Sequence, residues 1–435
     1  MKRVAARLAL HGGLWLLAFL VLFALARRPL FALGVILVAQ LLLILVSHAK
    51  ARVLREPLVF ADLALYLQAL RHPRLYLPYF GEGRALLVAG VVAALVLVGV
   101  EVDQPASLSL AGWAGLFAAG VALLLAGTAL GRNALSLEPG EDVAAYGLLA
   151  SLWLYWLEED KPLPRIEEVF LKINFTSNGP IVVVQSESFF DARRLGARVA
   201  KDVLPNYDAR AAEGESGPLA VPVWGAYTMR TEFAFLSGIA PRALGVHRFN
   251  PYRRFARHGA ATIASALRAR GYRTLCIHPY PASFFARDRV FPELGFDEFL
   301  DVKSFENAEK QGPYIGDSAV SKAILQALGP RVFIFAITME NHGPYHLEGG
   351  DELAIYLRHL RNADRMIGEV CAALKQGVFC LYGDHVPGLP RVYAARGYED
   401  SRTDYLIWSN TRRAQRRAER QAHELGVRVL EIASE

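Results

Sequence analysis

The amino-acid sequence predicts two domains, a multispan α-helical membrane domain in residues 1–160 followed by an α/β domain with a mainly parallel central sheet. Two observations predict this division. Long apolar stretches are concentrated in the first third of the chain, and hydrophobic residues make up 53% of all 435 residues, which is more apolar than a soluble enzyme of this length. From residue 162 onward, short apolar runs alternate with charged stretches of helical spacing, which is typical of an α/β domain.

Four apolar stretches in the first domain predict membrane-spanning helices. Residues 8–26 and 108–130 are long enough to cross the hydrocarbon core of a bilayer as helices. The stretches 30–46 and 85–100 are shorter, but they contain no Asp, Glu, Lys or Arg and end close to charged residues. A fifth stretch, 143–157, is apolar with aromatic residues at its end. It fits either a short fifth span or an interfacial helix.

The charges around these stretches predict how the chain is oriented. Basic residues precede the first span and lie between the second and third, whereas the next connection offers only Glu101 and Asp103. The positive-inside rule then places the N-terminus in the cytoplasm. Four spans would leave the second domain in the cytoplasm, and five would place it outside. The segment 56–79 mixes apolar, aromatic and basic residues, which predicts a helix along the membrane surface.

The second domain is predicted to span residues 179–435, after a juxtamembrane linker at 161–178. Stretches such as 261–270 and 353–374 have the length and spacing of helices. Short runs that are apolar at every residue are typical of parallel strands covered by helices on both faces. Four short runs predict such strands, at 181–184, 274–277, 332–337 and 378–381.

Polar residues follow directly on these predicted strands. Glu187 comes after the first strand, and Asp384 and His385 come after the last. In open α/β sheets the functional site lies at the carboxyl ends of the strands, and carboxylate and imidazole ligands suit Mn²⁺, Mg²⁺ or Zn²⁺. Each residue alone would also fit a helix cap or a turn. Their joint placement predicts a single metal site.

Five motifs carry a resemblance to a known family: VVVQSESFF, YTMRTEFAFLSG, IHPYPASFFARD, ITMENHGPY and YGDH. In this order and spacing, the chain resembles the lipoteichoic acid synthase and phosphoglycerol transferase branch of the alkaline phosphatase superfamily, from about residue 180 to residue 410. The resemblance implies a sulfatase-like catalytic domain outside the cytoplasm, behind a multispan membrane domain. It therefore implies that 143–157 crosses the membrane as a fifth span.

The resemblance also implies roles for individual residues. Thr228 corresponds to the family's nucleophile, because it stands four residues before Glu232, whereas Thr231 does not keep that spacing and corresponds to a structural hydroxyl. The family's metal ligands correspond to Glu187, Thr228, Asp384 and His385.

A head-group pocket is implied by the same motifs. His278 and His342 correspond to catalytic histidines, with His342 also binding substrate, although the residues alone would fit locally satisfied core histidines equally well. Arg287 corresponds to an arginine whose planar fork suits a phosphate oxygen. Phe285 stands where the family has tryptophan, so the indole N–H donor is missing while the apolar wall remains.

The implied reaction moves phosphoglycerol from phosphatidylglycerol to a hydroxyl of a cell-envelope polymer or glycan, through a covalent phospho-threonine. The implied cofactor is one divalent cation, with Mn²⁺ favoured and Mg²⁺ and Zn²⁺ as alternatives. The implied location is the bacterial plasma membrane, with the catalytic domain on the periplasmic side. A phosphoethanolamine transferase or lipid phosphodiesterase on the same scaffold is the alternative, and a catalytically inactive membrane sensor or scaffold is a distant one.

Two other classes are disfavoured by the sequence. A sulfatase needs a Cys or Ser in a C/S-x-P-x-R context, and none of the three cysteines has it. The net charge of +6 is modest, so nucleic-acid binding is not expected. The clearest basic cluster, from Arg412 to Arg420, is predicted to lie on a C-terminal helix with a solvated or lipid-facing surface.

Overall fold

The computed structural model divides the chain into two compact units, Met1–Pro162 and Leu163–Glu435. Residues 168–178, predicted as a linker, therefore belong to the second unit, where Phe170 is fully buried. The structure describes residues 1–64, 82–163, 168–196, 199–255, 261–411 and 415–435.

Four long helices make up most of the first unit: α1 (Lys2–Ala26), α2 (Pro29–Leu54), α3 (Glu82–Val102) and α4 (Leu110–Gly131). Within the described residues, three stretches are long and apolar enough to cross a membrane, at 2–26, 29–54 and 110–134. Helix α3 contains the predicted span 85–100. Helices α1 and α4 approach closely at glycines, since a Cβ on Gly13 would lie 2.7 Å from the backbone nitrogen of Leu124. Small residues allow such close helix packing in membranes.

The predicted fifth span at 143–157 is not one helix. Helix α5 (Pro139–Tyr146) ends at Gly147, whose positive φ of 80° interrupts the helix, and α6 (Leu148–Glu159) begins after it. At about 1.5 Å per residue, α6 spans roughly 18 Å, whereas a bilayer core is about 30 Å thick. The expectation of a single short span is therefore corrected to two short helices. They pack near the start of α1, through Ala6, Leu10, Tyr146, Ala150 and Leu154.

The predicted surface helix at 56–79 is described only at its start, and residues 65–81 lie outside the described part of the chain. A short 3-10 turn covers Phe60–Asp62. The buried Asp62 carboxylate binds the Lys50 ammonium at 2.6 Å, and Glu56 binds the same ammonium at 2.7 Å. These contacts hold the start of the segment against the end of α2.

The second unit is built on a nine-stranded, mostly parallel sheet, with a separate hairpin of two short strands. The strands of the large sheet lie in the order β10-β2-β9-β8-β1-β7-β3-β4, and β11 also pairs with β2. In chain order the strands are β1 (Ile181–Ser186), β2 (Glu215–Ala220), β3 (Arg273–Ile277), β4 (Glu298–Leu300), β5 (Lys310–Gln311), β6 (Tyr314–Ile315), β7 (Val332–Ile337), β8 (Val378–Gly383), β9 (Thr403–Ser409), β10 (Arg416–Arg417) and β11 (Arg420–Gln421).

The four predicted strands correspond to the neighbouring strands β8, β1, β7 and β3, which are mutually parallel. Every residue of β1, β7 and β8 is buried, so the sheet is covered on both faces as predicted. The predicted fold class is confirmed. The helices of this unit are α7 (Pro205–Ala211), α8 (Thr228–Ser237), α9 (Ile263–Arg268), α10 (Arg287–Glu293), α11 (Asp317–Ala327), α12 (Glu352–Ala373), α13 (Pro390–Arg396) and α14 (Ala422–Ser434).

The basic segment near the C-terminus is extended rather than helical where it is described. Arg416 and Arg417 form β10, Arg420 begins β11, and the C-terminal helix starts only at Ala422. These strands pair with β2, which satisfies backbone groups that the edge of the sheet would leave open. The buried carboxylate of Glu215 in β2 binds the Arg420 guanidinium. The predicted basic helix is therefore corrected to basic strands that neutralise a buried acid.

We predict that Gly383→Ala destabilises the second unit. A Cβ at this position would overlap the backbone carbonyl oxygen of Phe189, and overpacking of this kind costs about 2 to 3 kcal/mol. Thermal unfolding in detergent should show a midpoint lower by roughly 5 to 10 °C. Gly329→Ala is the matched control, because a Cβ there meets nothing within 4 Å. Equal midpoints for the two variants would contradict the prediction.

Candidate active site

The predicted site residues gather at one edge of the sheet. Strands β8, β1, β7 and β3 are parallel neighbours, so their carboxyl ends face the same way. Ser186 at the end of β1 is paired with Gly383 at the end of β8. Glu187 and Asp384 therefore leave their strands side by side. His278 follows β3 and His342 lies in the loop after β7.

Glu187, Asp384 and His385 form a buried cluster that fits a metal ion. One ligand atom from each of the three lies within 4.8 Å of the others. The Nε2 atom of His385 is 3.4 Å from both Glu187 Oε1 and Asp384 Oδ2. Asp384 Oδ2 is buried and has no hydrogen-bond partner among the described residues. A buried carboxylate oxygen without a partner is costly, and a divalent cation held by these residues would satisfy it.

Ser188, which the sequence did not single out, orients these ligands. Its hydroxyl donates to Glu187 Oε1 and its backbone N–H donates to Asp384 Oδ1, both at 2.9 Å. His385 Nδ1 donates to the carbonyl of Val386 at 3.1 Å, which directs Nε2 toward the carboxylates. Contacts of this kind around a metal site set the tautomer and orientation of the ligands.

Burial and, after it, the charge of the neighbouring Asp384 carboxylate raise the pKa of Glu187 to about 8, while His385 opposes this. The raised pKa means that Glu187 holds a proton at neutral pH until a cation displaces it. Because ligation needs the deprotonated form, a cation that binds here must release this proton, so its affinity depends on pH.

Thr228 is the first residue of α8 and is partly exposed. Tyr227 before it is left-handed, with φ 64°. One turn later, the buried hydroxyl of Thr231 donates to the backbone oxygen of Asp384 at 2.7 Å. Residues three apart on a helix share a face, so this bond holds the start of α8 beside the metal-ligand residues. The free N–H groups of a helix start also favour an anion there.

Arg287 is engaged by a glutamate rather than left free for a phosphate. Its guanidinium forms a fork with Glu232, with Nη2 to Oε2 at 2.9 Å and Nε to Oε1 at 3.1 Å, and both side chains are buried. A third N–H contacts His278 Nε2 at 3.3 Å. At most one N–H therefore remains on each terminal nitrogen, and the contact of Arg287 with a phosphate oxygen stays a prediction.

Both ring nitrogens of His278 are engaged by other groups. Its Nδ1 lies 3.1 Å from the carbonyl oxygen of Ile337, so that nitrogen donates and Nε2 accepts from Arg287. Burial, followed by the positive charge of Arg287, lowers the pKa of His278 well below its usual range. The imidazole is therefore neutral and occupied at both nitrogens. In this structure its contacts orient Arg287, and the catalytic role of His278 stays a prediction.

The ion pair belongs to a larger buried network that sequence reasoning missed. Glu232 also accepts from Gln185 Nε2 at 3.2 Å and from the hydroxyl of Tyr252. Gln185 in turn accepts from the hydroxyl of Tyr382 at 2.7 Å. One sequence signal existed, since Gln185 is a polar residue within the apolar run of β1.

Phe285 lies two residues before Arg287, in the strained backbone of a tight turn. Phe285 and Ala286 both have positive φ, at 55° and 56°, which is costly for residues with a Cβ. The Phe285 ring lies 5.2 Å from the guanidinium carbon of Arg287. Ser188 after Glu187 and Tyr227 before Thr228 are left-handed as well. Strain is thus placed next to three of the predicted site positions.

His342 keeps one ring nitrogen free. Its Nδ1 is 2.6 Å from the carbonyl oxygen of Gly343 and 3.2 Å from the Tyr314 hydroxyl. No described residue binds its Nε2. Burial lowers the pKa of His342, so the neutral form, with Nε2 as a proton acceptor, is favoured near pH 7.

Three comparisons place these features among known proteins. The capsular polysaccharide biosynthesis protein RkpI of Rhizobium meliloti (strain 1021) is 30% identical over 436 residues, covering 90% of this chain and 79% of that protein. The Streptococcus pyogenes phosphoglycerol transferase GacH in complex with sn-glycerol-1-phosphate aligns with a TM-score of 0.51 and 24% identity, over 61% of this chain and 77% of that chain.

The lipooligosaccharide phosphoethanolamine transferase A (EptA) from Neisseria meningitidis, an integral membrane protein, aligns with a TM-score of 0.57 and 12% identity, over 92% of this chain and 84% of that chain. The two structural alignments support the same fold. The family profile named Sulfatase matches residues 180–429, more than half of the chain and the whole candidate site. The chain therefore belongs to the Sulfatase family.

Proposed function

We propose that this protein is a membrane-anchored, metal-dependent transferase that moves phosphoglycerol from phosphatidylglycerol to a hydroxyl of a cell-envelope polymer or glycan. The observation that carries the proposal is the buried triad of Glu187, Asp384 and His385, with an unsatisfied carboxylate oxygen, beside the helix that begins at Thr228. The reported functions of the relatives are consistent with a phosphotransferase.

The triad and Thr228 would hold one divalent cation, with Mn²⁺ favoured. Such an ion lowers the pKa of a bound hydroxyl and stabilises charge on phosphoryl oxygens. Thr228 Oγ then attacks the phosphorus, the bond to the diacylglycerol oxygen breaks, and a glycerophospho-threonine remains. An acceptor hydroxyl displaces Thr228 in a second in-line step. The start of α8 stabilises the transferred anion through its N–H groups.

His342 is the residue that we assign to proton transfer. Of the two predicted histidines, it alone has a ring nitrogen that no described residue occupies. Its Nε2 takes the proton of the acceptor hydroxyl in the second step. In the first step the same nitrogen takes the proton that the Thr228 hydroxyl loses and passes it to the departing diacylglycerol oxygen, and in the second step it returns the acceptor's proton to Thr228 Oγ.

Thr228→Ala should abolish the transfer, because no covalent intermediate can form. The purified protein would be incubated with Mn²⁺ and phosphatidylglycerol labelled in the head group, and both diacylglycerol release and the destination of the label would be followed. We expect a loss on the order of 10³-fold or more, while Thr228→Ser retains part of the activity.

Wild-type turnover in Thr228→Ala would contradict the covalent mechanism. Release of ethanolamine phosphate from phosphatidylethanolamine, without turnover of phosphatidylglycerol, would favour the phosphoethanolamine transferase. Label appearing only in water-soluble glycerol phosphate would favour a phosphodiesterase, and no turnover of either lipid would favour an inactive scaffold.

Mn²⁺ binding should strengthen as pH rises from 6 to 8. The metal-free Glu187 has its pKa raised to about 8, so below that pH the cation must displace a proton, and affinity should fall up to about tenfold per pH unit. Titration calorimetry with Mn²⁺ at pH 6, 7 and 8 measures this. Glu187→Gln is the control. This variant should bind Mn²⁺ weakly, and it should lose most of the pH dependence because its amide has no proton to release. A wild-type affinity that is flat over this range would contradict the assignment.

We also propose that the catalytic unit faces outward from the plasma membrane. If α1 to α4 all cross the membrane, the number of crossings is even, and the N-terminus and the residues between α2 and α3 share the side of the catalytic unit. This departs from the cytoplasmic N-terminus that the charges predict. We assign no crossing to α5 and α6, because the break at Gly147 leaves two short helices there.

Reporter fusions test this topology. Alkaline phosphatase, which is active only outside the cytoplasm, would be fused before Met1 and, separately, after Glu435, with green fluorescent protein at the same positions as the opposite reporter. We expect phosphatase activity at both ends. A fluorescent C-terminal fusion would contradict the outward placement. A fluorescent N-terminal fusion with an active C-terminal phosphatase would restore an odd number of crossings.

A further inference from the structure

Several buried polar atoms outside the metal-ligand triad have no partner among the described residues. In the described part of the chain, eight buried side-chain atoms lack a partner, and six of them belong to Ser186, Asp317, Asn341 and Asp384. Asp384 Oδ2 is explained by the cation. The carboxylate of Asp317 and the amide of Asn341 are not, and their four atoms need another partner, because groups buried in this way are normally hydrogen-bonded.

Asp317 is held firmly although its carboxylate contacts nothing polar. It is the first residue of α11, and its side chain is 1% exposed. Its backbone N–H donates to Glu340 Oε2 at 2.7 Å. Glu340 itself is satisfied by His359 Nδ1 at 2.8 Å and by Asn362 Nδ2 at 2.6 Å. The backbone of Asp317 is thus fixed by a rigid acid, while both carboxylate oxygens remain unused.

Asn341 lies between Glu340 and the predicted catalytic His342, and it is 1% exposed. Three residues earlier in the chain, the hydroxyl of Thr338 accepts from the backbone N–H of Glu187 at 2.9 Å. Because three residues extend at most about 11 Å, the Cα atom of Asn341 lies within about 11 Å of the Cα atom of Thr338. Its backbone oxygen accepts from the Tyr345 hydroxyl at 2.8 Å. Neither atom of its amide has a partner in the described residues.

We propose that Asp317 and Asn341 form a subsite beside the metal-ligand triad that binds the two free hydroxyls of the glycerol head group. Hydroxyls both donate and accept, and a carboxyl group together with an amide offers both kinds of partner. Burial and the carboxylates of Glu340 and Glu187 raise the pKa of Asp317, which suits a neutral diol better than an ammonium. This inference rests on the proposed function and names the specificity residues for its donor.

A purely structural role is the competing explanation, and stability separates the two. Replacing a buried polar group that has no partner leaves stability unchanged or raises it, and binding residues are often retained at a cost in stability. Asp317→Asn and Asn341→Leu should therefore keep or raise the thermal midpoint of the metal-free protein. Ser321→Ala on the same helix is the matched control. Its hydroxyl donates to Glu369 at 2.6 Å, so its loss should lower the midpoint.

Binding to the full-length, Mn²⁺-loaded protein tests the ligand. Calorimetry would compare inorganic phosphate, sn-glycerol 1-phosphate and phosphoethanolamine. We expect the wild type and Ser321→Ala to bind glycerol phosphate roughly tenfold more tightly than phosphate. Asp317→Asn and Asn341→Leu should lose this preference and keep the affinity for phosphate.

The other outcomes each have a definite meaning. An unchanged preference in both variants, or midpoints lowered as in Ser321→Ala, would overturn the subsite and leave a structural role. A preference for phosphoethanolamine in the wild type that the variants lose would overturn the diol assignment in favour of an ammonium. No binding of any of the three anions would overturn the proposed function itself.

Discussion

The ion pair between Arg287 and Glu232 connects the parts of the active site that come from different elements. Glu232 lies on α8, the helix that begins at Thr228, and Arg287 begins α10 after the turn at Phe285. Both side chains are almost fully buried, so removal of either partner would leave a charge without compensation, at a cost of about 3 to 5 kcal/mol. The pair thereby holds the helix that begins at Thr228 to the start of α10.

The same pair determines what its neighbours can do. His278 accepts from Arg287 and donates to the sheet, so both of its ring nitrogens are engaged. Gln185 and Tyr252 complete the coordination of Glu232. A buried polar network in which every member is satisfied is rigid. This rigidity suits a site that must present a hydroxyl, a cation and a helix start in fixed positions.

Other buried polar groups, in contrast, have atoms without hydrogen-bond partners among the described residues. The network beneath the site is satisfied, whereas Asp384, Asp317 and Asn341 keep unpaired atoms beside it. The left-handed backbone at Ser188 and Phe285 adds further cost. These unpaired atoms and left-handed residues lower the stability of the protein, and a bound cation and head group would offset part of that cost. Burial of Glu187 has a related cost, because it disfavours the charged carboxylate and so raises the pKa of this residue.

The sequence by itself determined the fold class and the candidate metal ligands. Apolar runs report burial on both faces of a sheet, and ordered motifs mark the residues that follow each strand, so Glu187, Asp384 and His385 could be named without coordinates. Tertiary structure alone decided what depends on distant partners. Arg287 binds Glu232, which lies 55 positions away in the chain. The basic segment is extended because it pairs with β2 and because Arg420 binds Glu215. The local sequence pattern cannot predict such pairings, because each depends on a contact with a residue that is far away in the chain.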